Sequence, residues 1–160
     1  MRPELRVAPE DFDLGEEYAA LRRRAPTAGA VAAFVGCVRD LSDAGAVDVL
    51  ELEHYPGMTE RSVAEVADEA ARRWPLDALT VIHRVGRLGP AEQIVLVLAA
   101  SAHREAAFDA ARFVMDYLKT RAVFWKRERG PAGDRWIESR TSDHAAAAAW
   151  QDPAEDAPER

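Results

Sequence analysis

The stretch GRLGP, Gly86 to Pro90, separates two strongly apolar runs, Ala78–Val85 and Glu92–Ser101. Five residues hold no crossover helix, so the two runs read as strands joined by a Gly/Pro turn and paired antiparallel. A second short connection, PAGD at 131–134, does the same for Ala122–Glu128 and Arg135–Glu138. Helical segments alternate with these strand pairs. That order predicts an α+β chain with a mainly antiparallel sheet rather than a doubly wound parallel one.

The remaining elements follow from pattern. Leu5–Ala8 and the Val/Ala-rich run Ala30–Val38 read as strands, with Gly36 marking a bulge or close approach in the second. Leu41–Ala46 reads as a loop and Val47–His54 as a half-buried strand. Gly15–Arg24 is a short helix whose final three arginines suit its dipole. Met58–Trp74 spaces Val63, Val66, Ala67, Ala70 and Trp74 as an amphipathic helix, stopped by Pro75. Arg104–Thr120 is a longer helix with Phe108, Ala111, Met115 and Leu118 as the expected core stripe. Ser142 or Asp143 can cap a short Ala-rich helix ending near Trp150. Residues 1–150 thus read as one domain, and the acidic, Pro-containing 151–160 as a disordered tail.

Charge is distributed unevenly. The chain carries a formal net charge of −7, which argues against phosphate-driven binding to nucleic acid. Yet from Arg112 to Arg140 eight basic residues (Arg112, Lys119, Arg121, Lys126, Arg127, Arg129, Arg135, Arg140) face four acidic ones (Asp116, Glu128, Asp134, Glu138). Concentrated positive charge is costly unless an anion shares it. Tyr117, Phe124 and Trp125 within that run point to a walled pocket. The apolar run Ile94–Ala100 is too short to cross a bilayer. The N-terminus has no apolar core of a secretory signal. The single cysteine, Cys37, excludes an intrachain disulfide and a multi-cysteine zinc site and suits a reducing cytoplasm.

Individual residues leave two readings open. Lys119 extends the polar stripe Glu105, Asp109, Arg112, Asp116 and is either a solvated helix face or a functional ammonium at the helix end, seven residues before Lys126. Two lysines crowded by Arg121 and Arg127 would have depressed pKa values, fit for acid–base work or for holding a carboxylate-like anion. His103 and Arg104 stand at a helix start, either as phosphate ligands or as a capping turn with an incidental arginine. Arg39, at a strand exit, is equally ambiguous. Cys37 reads more readily as a small core hydrophobe than as a nucleophile. His54, His83 and His144 lack metal spacing, so neither a metal nor a cofactor is expected. The four tryptophans read as core or interface anchors.

With these residues in view, the chain resembles the large, catalytic subunit of molybdopterin synthase. The resemblance runs over most of Ala28–Trp150 and rests on FVGCVRD (Phe34–Asp40), LEHYPGMTE (Leu52–Glu60), IHRVG (Ile82–Gly86), SAHR (Ser101–Arg104), MDYLKTR (Met115–Arg121), FWKRE (Phe124–Glu128) and DRW (Asp134–Trp136). It implies an α/β hammerhead fold with an additional antiparallel β subdomain. The implied activity is sulfur transfer to cyclic pyranopterin monophosphate, building the dithiolene of molybdopterin. The implied sulfur donor is the C-terminal Gly-Gly thiocarboxylate of a small ubiquitin-like partner, and the implied assembly is a homodimer within a heterotetramer.

Carried over by motif, Lys119 and Lys126 meet the thiocarboxylate. Arg39, His103 and Arg104 bind the phosphate end, with Cys37 and Val38 beside them, and Arg127 and Glu128 line the same pocket. Arg140 is expected to reach a neighbouring subunit's site. Two departures stand out: Cys37 replaces a residue often polar or basic, leaving a backbone contact there, and Val123 replaces a frequent proline. The rival readings are a non-catalytic module binding a ubiquitin-like protein or an anion, and a different phosphate-ligand enzyme using the same basic pocket.

Overall fold

The computed structural model describes residues 1–151; the expected acidic tail beyond Gln151 lies outside the described residues. In chain order the elements are β1 (Glu4–Ala8), α1 (Leu14–Arg24), β2 (Ala30–Cys37), β3 (Leu41–Ser42), β4 (Gly45–Ala46), β5 (Val49–His54) and α2 (Met58–Arg73). There follow β6 (Leu76–Arg84), β7 (Gly86–Leu88), β8 (Gln93–Ser101), α3 (Arg104–Leu118), β9 (Phe124–Gly130), β10 (Gly133–Ile137) and α4 (Thr141–Ala148). The architecture is mixed α+β.

The first sheet has the order β1-β6-β8-β2, antiparallel except for the parallel pair β1·β6. Because side chains alternate across a strand, β6 and β8 feed two cores at once. Leu79, Val81, Val95, Val97 and Ala99 pack under α2 and α3, while Ala78, Ile82, Leu96, Leu98 and Ala100 pack under α1 around Leu21. This is why β8 reads as a continuous apolar run instead of an alternating one. The second sheet, β10-β9-β5-β7, is wholly antiparallel and closes a smaller core of Val38, Leu50, Leu52 and Leu88.

Several local expectations change. GRLGP is more than a turn: its first three residues form β7 and pair with β5, so the connection between β6 and β8 detours through the second sheet. The loop expected at Leu41–Ala46 is a hairpin, with Gly45 at φ 113°, a conformation that favours glycine. Val47 joins no strand pairing but is buried at the hairpin's foot. A Cβ at Gly130 would run into the Ala46 carbonyl, so the close approach of β9 to this hairpin requires glycine there.

In α3 the buried stripe is rotated from the expected one. Phe108 is 65% exposed, and the helix buries Ala107, Ala110, Ala111, Phe113, Val114, Tyr117 and Leu118. The cause is that α3 packs against both the sheet and α2, which selects a wider stripe. Phe113 sits at the centre of an aromatic cluster with Trp74, Trp150 and Tyr117. Trp125 and Trp136, by contrast, are about half exposed (48% and 53%) and are not core residues. Helix α4 is capped at Arg140, not at Ser142 or Asp143: Asp143, one turn in, accepts the Arg140 backbone N–H at 3.1 Å.

Candidate active site

Between the two sheets, beneath the hairpin and α4, lies a cavity of about 860 Å³. Four of the segments around it carry most of its charged side chains. The exit of β2 supplies Cys37, Val38 and Arg39; the end of α3 supplies Lys119; β9 supplies Lys126 and Glu128; and the entry to α4 supplies Ser139, Arg140 and Asp143. The register of β9 decides which of its residues face inward. Phe124, Lys126 and Glu128 alternate onto the cavity side, Trp125 also lines it, and Arg127 turns the other way to Glu51.

Cys37 is exposed, contrary to the core reading. A register shift between Gly36 and Cys37 in the β2·β8 pairing is the physical reason: it breaks the alternation that would have buried the thiol. Val38, the next residue, is buried beneath the cavity.

The two lysines differ in surroundings. Lys119 is half exposed and its ammonium donates to Asp143 Oδ1 at 3.3 Å. Lys126 is partly buried, and its pKa lies below the ordinary lysine value, chiefly through burial and secondly through the neighbouring Lys119 ammonium; Asp143 pulls the other way. Arginines 121 and 127 are not the cause expected from sequence. Arg121 turns away to Glu69 at 3.1 Å and lies over the Tyr117 ring. Arg127 pairs with Glu51 at 2.9 Å and stacks on Trp136 on the outer face of the sheet.

Around the lysines the wall is polar and organised. Glu128 accepts from Ser42 Oγ at 2.8 Å and faces Arg135 at 3.7 Å. Arg140 pairs with Asp43 of the hairpin at 3.2 Å, so it lines the cavity of its own chain. His103 and Arg104 are exposed at the start of α3 and do not line this cavity. Among the described residues no cluster of His, Cys, Asp or Glu is arranged to hold a metal ion. Nor is any helix there long and apolar enough to cross a membrane.

Behind the cavity, His83 on β6 is buried and stacks on Phe124, with ring centroids 3.9 Å apart. Its Nδ1–H donates to the Arg84 carbonyl at 2.8 Å. Burial drives its pKa from 6.5 to about 4. Between those values the unfolded chain binds the proton and the folded chain does not. Stability is therefore full above pH 6.5 and is lost as pH falls toward 4, by up to ~3 kcal/mol from this group. Urea unfolding of wild type and His83→Gln at pH 7 and 4.5 checks this: the acid loss should shrink in the variant, and an undiminished loss contradicts it.

Two features were not legible as functional in the sequence reading. In sequence Asp143 presents itself only as a helix cap, and nothing marks Ser42. One available signal is compositional. Of 21 basic residues only two, Lys119 and Lys126, are lysines, and both face this cavity.

Comparison with known proteins places the chain in a family. A family model described as MoaE protein matches residues 7–121. The molybdopterin synthase catalytic subunit of Escherichia coli K12 is 56% identical over 144 residues, spanning 90% of this chain and 95% of that protein. The corresponding subunit of Ralstonia nicotianae is 54% identical over 148 residues, covering 92% and 84% of the two chains. Among solved structures, the molybdopterin biosynthesis MoaE protein of Burkholderia ambifaria superposes with a TM-score of 0.80 at 52% identity, covering 92% of this chain and 97% of its own. A Helicobacter pylori structure described as the protein–protein complex of subunits 1 and 2 of molybdopterin-converting factor shares the fold, with a TM-score of 0.69 at 20% identity, over 85% and 91% of the chains. The chain belongs to the MoaE family, the catalytic subunits of the enzyme molybdopterin synthase.

Proposed function

We propose that this cavity transfers sulfur from the C-terminal thiocarboxylate of a small ubiquitin-like partner to cyclic pyranopterin monophosphate, forming the dithiolene of molybdopterin. The observation that carries the reading is the meeting of the chain's only two lysines with Arg39 and Arg140 in one cavity. Both reactants are anionic, and cationic side chains of this kind can hold them and stabilise negative charge as it develops. The volume of about 860 Å³ falls within the range of small-ligand sites and leaves room for a peptide tail beside the pterin.

The lysines divide the work. Lys119, half exposed at the end of α3, meets the incoming thiocarboxylate. Lys126, biased toward its neutral amine by burial and by Lys119, is the better proton acceptor. Arg39, with the chain at Cys37 and Val38, takes the phosphate end, while Glu128 and Arg140 shape the wall. Arg127 supports β9 from its outer face. A homodimer gives His103 and Arg104 a role: outside this chain's own cavity, they are available to the phosphate in a second copy's. The two sheets are taken as the α/β hammerhead and its added antiparallel subdomain.

Mixing the protein with cyclic pyranopterin monophosphate and a thiocarboxylated partner tests the reading. Dithiolene product is expected. Binding of the partner without product would favour a non-catalytic docking module instead.

A further inference from the structure

One carboxylate links two walls of the cavity. Asp143 is mostly buried, its side chain only 18% exposed, and its two oxygens have different partners. Oδ2 accepts the Arg140 backbone N–H at 3.1 Å and locks the first turn of α4. Oδ1 accepts the Lys119 ammonium at 3.3 Å. A second stitch lies alongside, where Ser139 Oγ donates to the Lys119 backbone carbonyl at 2.6 Å. The far end of α4 is pinned as well, since Trp150 Nε1 donates to Asp116 of α3 at 2.7 Å. Helix α4 is thus a brace laid across the end of α3, and Asp143 is where that brace grips the lysine.

An ion pair with one partner half exposed contributes little to stability. Its geometric effect is larger. Lys119 closes α3 with four rotatable bonds of side chain, and without a fixed acceptor the ammonium would sample many positions.

We propose that Asp143 is a positioning residue of this cavity: its carboxylate fixes the Lys119 ammonium against α4 and sets the electrostatic balance under which the two ε-amines take different roles. The inference rests on the sulfur-transfer reading above and assigns that site a component the reading did not contain.

The charged and titratable groups around Lys126 come from every neighbouring element. They are Lys119 at the end of α3, Asp143 and His144 on α4, Glu138 and Arg140 before it, Arg39 after β2, Glu128 on β9 and His83 behind Phe124. Glu128 is engaged by Ser42 and Arg135. Asp143 is the carboxylate that acts on the Lys126 proton, against burial and Lys119. In turn, burial alone would raise the Asp143 carboxyl, but the Arg140 N–H and both lysines hold it below its ordinary value. It therefore remains an anion throughout the neutral range.

Asp143→Asn separates the charge from the cap, because the amide oxygen can still accept the Arg140 N–H. With only two lysines and one N-terminal amine in the chain, reductive ¹³C-methylation gives few NMR signals, and Lys119→Arg assigns them. Losing the carboxylate removes the influence that favours the Lys126 ammonium, so its titration midpoint should move to lower pH in the free protein. In the reconstituted assay kcat should fall roughly tenfold or more, as for a displaced catalytic group. KM for the pterin should hardly change, the acid limb of the kcat profile should move to lower pH, and Asp143→Glu should recover part of the rate. A Lys126 midpoint that stays in place, or an unchanged kcat, overturns the proposal. The NMR titration needs no turnover. A wild-type protein that makes no product would sink the sulfur-transfer reading, whereas an unmoved midpoint sinks the role of Asp143.

Discussion

Lys119→Ala is expected to abolish dithiolene formation while leaving the fold and partner binding close to wild type. The ammonium is half exposed, and among the described residues its one carboxylate contact is Asp143 at 3.3 Å. A pair of that kind contributes at most about 1 kcal/mol, so the melting temperature should fall by no more than about 2–4 °C. The catalytic loss is of another scale. Removing the cation proposed to meet the thiocarboxylate should take away both its placement and its charge stabilisation, on the order of 10²–10⁴ in rate. Thermal unfolding and a reconstituted assay with thiocarboxylated partner check the two halves separately. Turnover near the wild-type rate would show that Lys119 has no part in the chemistry.

Lys126→Arg is the second large effect, and it isolates proton transfer from charge. A guanidinium keeps the positive charge but stays protonated at every accessible pH. Lys126 lies partly buried, and burial together with Lys119 disfavours its ammonium. If its service is to accept a proton, the arginine variant should lose activity on the order of 10² or more. Affinity for the anionic pterin should stay near wild type. The separation of kcat from KM is the readout. A variant with full kcat would mean that a fixed positive charge is all this position supplies.

The rarity of lysine gives both predictions weight. Nineteen of the 21 basic residues are arginine, so this chain meets nearly all its needs for positive charge with guanidinium groups. An ammonium is a more compact cation than a guanidinium and loses its proton more readily, and both positions that carry one face a single cavity.

How far the sequence carried can be traced through particular elements. The antiparallel pairing of β6 with β8 followed from the short GRLGP connection, and the β2 bulge was signalled by Gly36. The helices α1, α2 and α3 were each legible from apolar spacing, and α1 also from its end charges. What local pattern could not reveal was partnership between distant segments. Nothing in GRLGP announces that its first half would pair with β5, since that ladder depends on where a strand some 35 residues earlier comes to rest. The α3 stripe was misplaced at Phe108 because spacing identifies a face, whereas packing against both sheet and α2 determines its width.

The site shows the same division. The basic run from Arg112 to Arg140 marked the right stretch of chain, but a strand sends successive residues to opposite faces. Thus Lys126 enters the cavity and Arg127 leaves it for Glu51. Charge counted along sequence overstates the charge in the cavity. It also overlooks Asp143, whose value lies in a contact 24 residues away from Lys119.

The most direct measurement is a crystal structure of the protein bound to cyclic pyranopterin monophosphate. The account predicts the phosphate within hydrogen-bond distance of Arg39, the pterin side chain within reach of both ε-amines, and Asp143 still holding Lys119. A ligand seated on another surface, or two lysine amines facing separate open water once it binds, would contradict it.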